Sequence, residues 1–362
     1  MKVVLCGYYG LGNGGDEALL ASLLQMLPPA VIPVILSGNK LHTSELASNA
    51  LGQGRMFQVI DRMGLVSVIR AIRDADAFIW GGGSLIQDAT SGLSPLYYGG
   101  LMALAQIMGL KTIAWAQGVG PLRYPFTRWL ARQTFRHCQA VSVRNSESAN
   151  LMARWHIPTV LAPDPVWTLK GVNVPEIETL PTPRIAVNLR PHPQLTPERL
   201  HLFIQSLVQF QRATHGSIVL VPFQSSQDMT ITKMIQPHLT GAHTVVNLTN
   251  PQQLKGLFRG VEMAISMRYH GLIMAAAEGC RCFAISYDPK VSSLMVELSI
   301  PGWSLTGGDH HPSFPTSADT MYHQWLTHFN APNQLTQDHT QIYGNRALLH
   351  RDILTQVLGK GR

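Results

Sequence analysis

The chain opens with an apolar strand, a glycine-rich turn and a helix, in the stretch Lys2-Val-Val-Leu-Cys6-Gly7-Tyr-Tyr-Gly10-Leu-Gly12-Asn13-Gly14-Gly15-Asp16-Glu17, which continues into Ala18-Leu-Leu-Ala-Ser-Leu-Leu. Glycines between a first strand and a first helix let backbone N–H groups approach a ligand at the helix N-terminus. This order of elements is how a βαβ unit begins. The stretch therefore predicts an α/β fold with a parallel sheet.

The same alternation of short apolar runs and helical segments continues through most of the chain. It predicts strands at 2–6, 31–36, 57–60, 77–80, 112–116, 140–143 and 159–161, with helices at 16–27, 64–74, 96–109, 126–137 and 146–155. A stretch from 163 to 183 holding five prolines interrupts the pattern. A second series follows, with strands at 184–189, 217–221, 244–246, 263–266 and 282–286 and helices at 197–213, 226–237, 251–259, 270–278 and 291–298.

The fold class predicted from this pattern is α/β, with two doubly wound, Rossmann-like domains facing a cleft. We predict a first domain over 1–168, a linker over 169–183 and a second domain over 184–316. The remaining residues, 317–362, form a helical tail with helices at 318–329 and 341–358. We expect this tail to pack back on the first domain.

Composition excludes several classes of protein. A chain of 362 residues with 45% hydrophobic content is long enough for two cores, and it lacks the roughly 18 unbroken apolar residues of a membrane span. The net charge of +7 indicates an anionic partner, without the runs of Lys and Arg typical of nucleic-acid binders. The four cysteines are too scattered for a disulfide framework or a zinc site, so we predict reduced thiols. The N-terminus has no signal-peptide pattern, and we predict a cytoplasmic protein.

Glycine loops follow three predicted strands of the first domain. The first contains Gly10, Gly12 and Gly15, which match G-x-G-x-x-G, but the second strand ends without the acidic residue that a dinucleotide ribose needs. Direct ligand contact by this loop and a tight turn with Asp16 as a partner of the helix dipole remain two open interpretations. The second loop, residues 81–84, and the third, residues 117–120, lie at the same sheet edge, and Asp88 follows the second.

Cations occupy several predicted strand ends, where ligands of open α/β sheets bind. Arg144 ends a first-domain strand, and Arg190, Arg268 and Lys290 lie just beyond strands of the second domain. His270 lies two residues after Arg268, so that a guanidinium able to bind a carboxylate or phosphate in bidentate fashion lies beside an acid–base group. Each residue alone is compatible with a structural role.

A basic stripe lies on the predicted helix 126–137. Arg128, Arg132 and Arg136 recur every four residues, and no Asp or Glu occurs from residue 89 through 146. The spacing is compatible with contact to an anionic membrane surface, or with an ordinary solvated face.

Several of these segments together resemble the polysaccharide pyruvyl transferase family, of the bacterial cell-surface type that modifies secondary cell-wall polymer. The resemblance spans nearly the whole chain. It rests on Gly7-Tyr-Tyr-Gly10, Gly15-Asp16-Glu17-Ala18, Trp80-Gly81-Gly82-Gly83-Ser84, Gln117-Gly118-Val119-Gly120-Pro121, Ser142-Val143-Arg144-Asn145-Ser146, Ala162-Pro163-Asp164-Pro165, Met267-Arg268-Tyr269-His270-Gly271 and Asp288-Pro289-Lys290.

The resemblance implies a GT-B-like fold, phosphoenolpyruvate as donor and a sugar as acceptor. The expected product is a 4,6-linked pyruvate ketal, on N-acetylmannosamine of a lipid-linked saccharide. It implies catalytic roles for His270, Lys290 and Arg144 and donor binding by Arg268, Arg144, Lys290 and Arg190. The acceptor would meet the first-domain loops, at Gly10, Gly12, Asn13, Gly15, Asp16, Gly82, Gly83, Ser84 and Asp88. No metal and no cofactor is expected, nor a nucleic acid, and the enzyme would work in the cytoplasm, at the inner face of the membrane.

The residue chemistry agrees with a dianionic donor, because phosphoenolpyruvate carries a phosphate and a carboxylate that fixed cations bind. His270 would protonate the methylene carbon or deprotonate the attacking hydroxyl. Two alternatives stay open: a nucleotide-sugar glycosyltransferase or epimerase, with Glu278 as its ribose-binding acid, and a non-catalytic protein that binds saccharides or anions. A nucleotide-dependent dehydrogenase fits least well.

Overall fold

A computed structural model describes residues 1–52, 54–88, 93–307 and 311–359. The chain forms two compact units, Met1–Leu169 together with Ile342–Arg362, and Lys170–Gln341. In each unit a parallel sheet is flanked by helices. The α/β fold class predicted from the sequence is confirmed.

The first unit contains a sheet of seven parallel strands in the order β3-β2-β1-β4-β5-β6-β7. The strands are β1 Lys2–Cys6, β2 Ile32–Ser37, β3 Gln58–Asp61, β4 Ala77–Trp80, β5 Lys111–Gln117, β6 Ala140–Val143 and β7 Val160–Leu161. The strand β1 pairs with both β2 and β4, so Leu5 lies between Ile35 and Ile79. The strand order reverses at this point, and the carboxyl ends of β1 and β4 are therefore where a ligand of such a sheet is expected.

The helices of the first unit are α1 Gly14–Met26, α2 Lys40–Leu51, α3 Leu65–Arg73, α4 Leu93–Ile107, α5 Pro125–Arg136, α6 Ser146–Arg154 and, near the C-terminus, α15 Leu349–Leu358. Asparagine side chains cap three of them: Asn13, Asn39 and Asn145 accept from backbone N–H groups of α1, α2 and α6. Helix α2 was not predicted. It buries only Thr43, Leu46 and Ala47, which gives its sequence little apolar periodicity.

One apolar core of the first unit lies between the sheet and helices α3 to α6. Trp80 of β4 is fully buried there and meets Phe135 of α5 edge to face, with ring centroids 5.2 Å apart. Phe135 thus belongs to the core, whereas Trp129 of the same helix is exposed. The unbroken apolar strands of the sequence reflect a sheet that is covered on both faces.

The second unit contains six parallel strands in the order β10-β9-β8-β11-β12-β13. The strands are β8 Arg184–Asn188, β9 Ser217–Leu220, β10 His243–Val245, β11 Met263–Ser266, β12 Arg281–Ser286 and β13 Gly302–Ser304. Strand β13 was not predicted, because three residues carry no readable alternation. It pairs with Ala284–Ser286 so closely that a side chain at Gly302 would lie 2.0 Å from the carbonyl oxygen of Ala284.

The helices that follow Leu169 in the chain are α7 Pro175–Glu178, α8 Pro197–Thr214, α9 Ser225–Ile235, α10 Pro251–Leu257, α11 Tyr269–Ala277, α12 Pro289–Leu298, α13 Ala318–Asn330 and α14 Gln337–Ala347. Most of them connect one parallel strand to the next. Helices α11 and α12 matter most here, since they begin directly after β11 and β12.

The boundaries of the units differ from the predicted domains in two places. Residues predicted as a linker belong to the second unit, where the backbone N–H of Val172 donates to the carbonyl of Gln252 at 2.9 Å and Ile177 of α7 is buried. The predicted tail is divided: α13 belongs to the second unit and α15 to the first. The single helix expected over 341–358 is two helices, which meet at Leu348.

Helix α13 is held in the second unit by Trp325. Its indole is fully buried against Phe203 and Phe210 of α8, Phe283 and Trp303. Its Nε1 has no hydrogen-bond partner in the described part of the chain. The contact is therefore one of apolar packing rather than hydrogen bonding.

We expect Trp325→Ala to lower the free energy of unfolding by about 3–5 kcal/mol, because the substitution leaves a cavity among four aromatic rings. Trp325→Phe keeps most of the volume and removes an unpartnered N–H, and should cost less than half as much. Urea denaturation followed by circular dichroism measures both. Equal stability of the alanine variant and wild type would contradict the assignment of α13 to the second core.

Candidate functional site

The first glycine loop of unit 1 is organised by a buried carboxyl group, that of Glu17. Its Oε1 accepts the backbone N–H of Gly10 at 2.8 Å, and Glu17 is 1% exposed. Burial and the nearby charge of Asp16 raise the pKa of Glu17 to about 7. Hydrogen bonds from the backbone of Gly10, Gly12 and Leu11 act in the opposite direction but do not outweigh these two effects. Glu17 therefore fixes the loop, a role that its place in the sequence does not show.

Close packing explains the need for glycine at two of the loop positions. Gly10 has a φ of +72° and its missing side chain would lie 2.1 Å from Ser37 Oγ. At Gly81, after β4, a Cβ would lie 1.6 Å from the hydroxyl of Tyr9. The loops after β1 and β4 are thus packed against each other and against the end of β2.

The predicted acceptor residues of these two loops do different things. Asn13 Oδ1 accepts from Gly15 N at 3.1 Å and so caps α1, while Gly12 is exposed with a φ of +72°. Asp16 is half-buried beside Gly83, where an added Cβ would lie 3.3 Å from its Oδ1. Gly82 packs on Leu19. Asp16 is thus the partly exposed acidic residue of these two loops.

The structure gives Asp88 a role that differs from the predicted acceptor contact. Its carboxylate accepts the backbone N–H groups of Arg123 and Tyr124, at 2.8 and 3.1 Å, and the hydroxyl of Thr127 at 2.7 Å. These bonds satisfy the free donors at the start of α5. Burial opposes ionisation of Asp88, but the hydrogen bonds outweigh it and hold its pKa below the usual range. We therefore remove Asp88 from the acceptor residues, since its oxygens are used within the protein.

Asp88→Ala should lower the free energy of unfolding by about 2 kcal/mol, because it leaves two backbone donors and one hydroxyl of α5 without their acceptor. Asp74→Ala is the matched control. Asp74 forms an exposed pair with Arg73, and its loss should cost under about 0.5 kcal/mol. Urea denaturation distinguishes the two. Equal effects of the two substitutions would show that the Asp88 bonds do not stabilise the helix.

Arg144, at the end of β6, is buried and paired with an internal carboxylate. Its Nη1 lies 2.6 Å from Asp164 Oδ2, and its Nη2 donates to Ser84 Oγ at 3.3 Å. Gly118 lies beside the guanidinium, and a Cβ added at this glycine would lie 3.3 Å from Arg144 Nε. A buried guanidinium needs such a partner, because an unpaired charge is costly to bury. In the sequence Asp164 belongs to the segment Ala162-Pro163-Asp164-Pro165, where no spacing marks it as the partner of Arg144.

Helix α15 supports this pair through His350, which is fully buried. Its Nε2 lies 3.0 Å from the carbonyl of Pro163, so Nε2 must carry the proton. Its Nδ1 then accepts from Ser142 Oγ at 2.9 Å, and Ser142 in turn accepts the N–H of Ala116. His350 thereby anchors the residue next to Asp164 and two strands of the sheet. Helix α15 and the end of α14, whose Tyr343 ring stacks on Trp167, are the parts of the tail that belong to the first unit.

Burial lowers the pKa of His350 to about 4 and outweighs the Pro163 hydrogen bond and the charge of Asp164, both of which raise it. Below the pKa of 6.5 of an unfolded histidine, the unfolded chain binds a proton that the folded chain excludes. The free energy of unfolding should therefore fall by about 2 kcal/mol from pH 7 to pH 5 on account of this group.

His350→Gln removes the titrating group, so the difference in unfolding free energy between wild type and the variant should shrink by that amount over this pH range. Urea titrations of both proteins at pH 7 and pH 5 measure the change. Taking the difference cancels the opposite effect of Glu17, whose raised pKa makes folding less favourable as the pH rises. A difference that does not vary with pH would contradict a buried neutral His350.

In the second unit, Arg268 pairs with Asp228. Arg268 precedes α11, and its Nε and Nη2 both donate to the Asp228 carboxylate, Nε at 3.2 Å. Asp228 is fully buried in α9 and also accepts the N–H groups of Phe223 and Gln224, each at 3.0 Å. The two donors with which Arg268 was predicted to bind a ligand in bidentate fashion are therefore bonded to Asp228. Only the Nη1 edge of the guanidinium is left for an incoming anion.

His270 and Lys290 lie in the first turns of α11 and α12. Their strands β11 and β12 are hydrogen-bonded neighbours, so both residues lie at the same edge of the sheet. His270 is half-buried, and Lys290 is partly exposed with its Nζ 3.5 Å from Asp288 Oδ2. Asp288 also caps α12 through the Lys290 backbone N–H. Both helix N-termini favour negative charge.

Arg190 follows β8, the other neighbour of β11. Its Nη1 donates to the Tyr287 hydroxyl at 3.1 Å, and its guanidinium lies 5.0 Å from the centre of that ring. Its Nη2 lies 3.4 Å from Gln227 Oε1. The strands β8, β11 and β12 thus bring Arg190, Arg268, His270 and Lys290 to one sheet edge, as the sequence predicted.

Glu278, the candidate acid for a nucleotide ribose, lies elsewhere. It ends α11, at the opposite end of the helix from His270, and forms ion pairs with Arg259 at 3.0 Å and Lys255 at 3.9 Å. Burial lowers the pKa of Lys255 to about 8, against the charge of Glu278. This acid is therefore not at the edge where a ligand would bind.

Within the described residues, no three His, Cys, Asp or Glu side chains are grouped so that they could hold a metal ion. Within the same residues, no helix has both the length and the apolar character required to cross a bilayer. The four cysteines form no disulfide.

The two parallel sheets, each flanked by helices, define a GT-B-like α/β protein with cations at its strand ends. A profile of the polysaccharide pyruvyl transferase family matches residues 13–289, and the chain belongs to this family. The matched region includes the first glycine loop from Asn13 onward, Arg144, Arg268 and His270, and ends one residue before Lys290.

Solved structures with the same fold share little sequence with the chain. A UDP-GlcNAc 2-epimerase from Neisseria meningitidis, bound to UDP-GlcNAc, has a TM-score of 0.63 at 11% identity, over 99% of this chain and 100% of its own. Arabidopsis thaliana UGT89C1, complexed with quercetin, has 0.65 at 10%, over 98% and 99%. Anabaena Alr3699/HepE, in complex with UDP and glucose, has 0.61 at 10%, over 99% of both chains. At such identities the similarity establishes the fold alone.

Proposed function

We propose that this polysaccharide pyruvyl transferase uses phosphoenolpyruvate as donor and forms a 4,6-linked pyruvate ketal on a sugar, with release of phosphate. The acceptor we propose is N-acetylmannosamine of a lipid-linked saccharide. The observation that carries the proposal is the sheet edge of the second unit, where His270, Arg268 and Lys290 follow two adjacent strands in a chain of this family. No cofactor and no metal enters the proposed reaction.

The proposed donor site lies at that edge. The phosphate and carboxylate of phosphoenolpyruvate would meet the N-termini of α11 and α12, the Lys290 ammonium and the free edge of Arg268. Asp228 supports this role indirectly: it fixes the guanidinium plane and offsets one positive charge. Arg190 is held by Tyr287 at the next strand and adds a further cation. The arrangement favours a small dianion.

The reaction needs one proton on carbon and removes one proton from each of two hydroxyls. We propose that His270 donates a proton to C3 of phosphoenolpyruvate, which makes C2 electrophilic. A sugar hydroxyl then adds to C2, and the C2–O bond to phosphate breaks while Lys290 offsets the charge of the leaving group. The second hydroxyl closes the ketal. The released protons return to His270 and to the phosphate, so that atoms and charge balance.

The first unit supplies the proposed acceptor residues. Asp16 offers a partly accessible carboxylate as a hydrogen-bond acceptor for a sugar hydroxyl, and the loops containing Gly10, Gly12, Gly82, Gly83 and Ser84 leave backbone and hydroxyl groups at the same edge. Arg144 stays a candidate essential residue for an anionic substrate group. Asp164 and Ser84 orient its guanidinium, as Asp228 orients that of Arg268.

The test is incubation with phosphoenolpyruvate and a lipid-linked or synthetic N-acetylmannosaminyl disaccharide. Mass spectrometry should show the gain of one pyruvyl ketal, with an equal amount of inorganic phosphate. His270→Ala should lower kcat by about 100-fold or more, as expected for loss of a general acid, and Lys290→Ala should lower it by at least 10-fold. Controls are His201→Ala and Lys233→Ala, exposed residues of α8 and α9, which should keep wild-type turnover.

Each failure has a separate meaning. Near-normal turnover in His270→Ala would overturn its acid–base role, and no mass gain across a panel of sugars would overturn the acceptor class. Release of a nucleoside diphosphate from a nucleotide sugar would favour a glycosyltransferase or epimerase. That alternative has lost its ribose-binding candidate, because Glu278 is ion-paired at the far end of α11. Phosphoenolpyruvate binding without turnover would indicate a binding protein.

A further inference from the structure

Helix α5 of the first unit presents three large aromatic side chains to solvent. Tyr124 is 58% exposed, Phe126 60% and Trp129 55%, and the rings of Phe126 and Trp129 are stacked with centroids 5.8 Å apart. We call these three residues, together with Arg132 and Arg136, the basic-aromatic face. All five are exposed.

This face is not needed to hold α5 in place. The opposite side of the helix buries Ala131, Thr134 and Phe135, and the start of the helix is fixed by Asp88 through Thr127 and the backbone. The helix is therefore fully anchored without its exposed aromatic rings. Keeping two stacked rings in water is unfavourable, and such a patch usually marks a contact surface.

Apart from the buried Asp88 at its start, the charged residues on α5 and just before it are arginines. Arg123, Arg128, Arg132 and Arg136 are all exposed on or beside α5, and residues 89–146 of the sequence contain no Asp or Glu. Arg128 donates to the carbonyl of Leu122 at 2.9 Å, which keeps its charge at the start of the helix. The surface thus combines apolar rings with a group of exposed arginines.

The neighbouring helix α4 extends the apolar part. It runs alongside α5, since Gly99 contacts Leu130 and Gln106 Nε2 donates to the Thr134 carbonyl at 2.8 Å. Leu96 therefore lies near the start of α5 and Ile107 near its end. Both are exposed, Ile107 by 83%.

We propose that the basic-aromatic face binds the surface of a membrane that contains anionic phospholipid. Aromatic rings enter the interface between headgroups and acyl chains, while arginines pair with the phosphates. The excess of positive charge argues against a second copy of the chain, because a symmetric contact would bring the exposed arginines of both copies together. The proposal does not depend on the donor or the reaction. It would bring the enzyme to a lipid-linked acceptor if the proposed function holds.

The test is co-sedimentation of the full chain with phosphatidylglycerol vesicles and with phosphatidylcholine vesicles. We expect binding to the first and at least 10-fold weaker binding to the second, with the difference reduced by salt. Arg132→Glu combined with Arg136→Glu should weaken binding to the anionic vesicles by roughly 100-fold, because each basic residue near such a surface contributes about fivefold and its reversal adds repulsion. Phe126→Ser combined with Trp129→Ser should weaken binding to both.

The matched control is Arg212→Glu with Lys233→Glu, which changes the net charge equally at exposed positions of the second unit. It should bind as wild type does. Thermal unfolding should be unchanged in all variants, since the residues are exposed. Equal weakening by the control, or no binding to anionic vesicles, would overturn the proposal. So would a dimer in wild type that the serine variant converts to a monomer, because the face would then be an interface between copies.

Activity on a water-soluble acceptor separates this proposal from the proposed function. The variants of the basic-aromatic face should turn over a soluble disaccharide at the wild-type rate while failing to bind vesicles. A chain that binds vesicles but forms no ketal would leave the membrane proposal standing and overturn the reaction. A soluble-acceptor rate that falls together with vesicle binding would show that the face belongs to the substrate site, and would overturn it.

Discussion

A guanidinium that is buried at the end of a parallel strand must be paired, and this requirement shapes both candidate binding edges. In the first unit Asp164 pairs with Arg144, and in the second Asp228 pairs with Arg268. Each acid is itself fixed, Asp228 by two backbone N–H groups and the loop of Asp164 by His350. Each guanidinium is thereby held in one orientation. An arginine that is already fixed in this way loses little further conformational entropy when it binds a ligand. The consequence is that each edge is less positive than its arginines alone suggest.

The remaining charge at the edge of the second unit comes from groups of a different kind. Lys290 and the N-termini of α11 and α12 offer fixed positive potential without a buried carboxylate beside them, apart from the partly exposed Asp288. Arg190 is held by an aromatic ring and a hydroxyl rather than by an acid. The dianionic donor that we propose would add counter-charge at this edge. The edge of the first unit differs, because Asp16 lies there and Glu17, with its pKa raised to about 7, carries only part of a negative charge near neutral pH. This edge agrees with our proposal that it meets sugar hydroxyls rather than phosphate.

The net charge of +7 also has a part unrelated to either edge. The arginines of α5 lie on the helix that carries the exposed aromatic rings, and residues 89–146 contain no Asp or Glu. Asp88, the nearest preceding acid in the chain, is hydrogen-bonded to the start of α5. The same carboxylate that seemed available to a sugar therefore serves to hold the helix that carries the basic-aromatic face.

Local sequence was enough to predict the order of strands and helices, the α/β class and the gathering of Arg190, Arg268, His270 and Lys290 at one edge. These depend on short-range patterns and on the rule that parallel strands end together. Short elements such as β13 and the weakly periodic α2 escaped, because they are stabilised by their neighbours rather than by their own pattern. The tertiary structure alone decided which acids pair with which arginines, that Asp88 caps α5 and that His350, 208 residues after Ser142, completes the first sheet. Those contacts join residues that are far apart in the chain. The sequence pattern does not show which of these residues the fold buries together and thereby forces to pair.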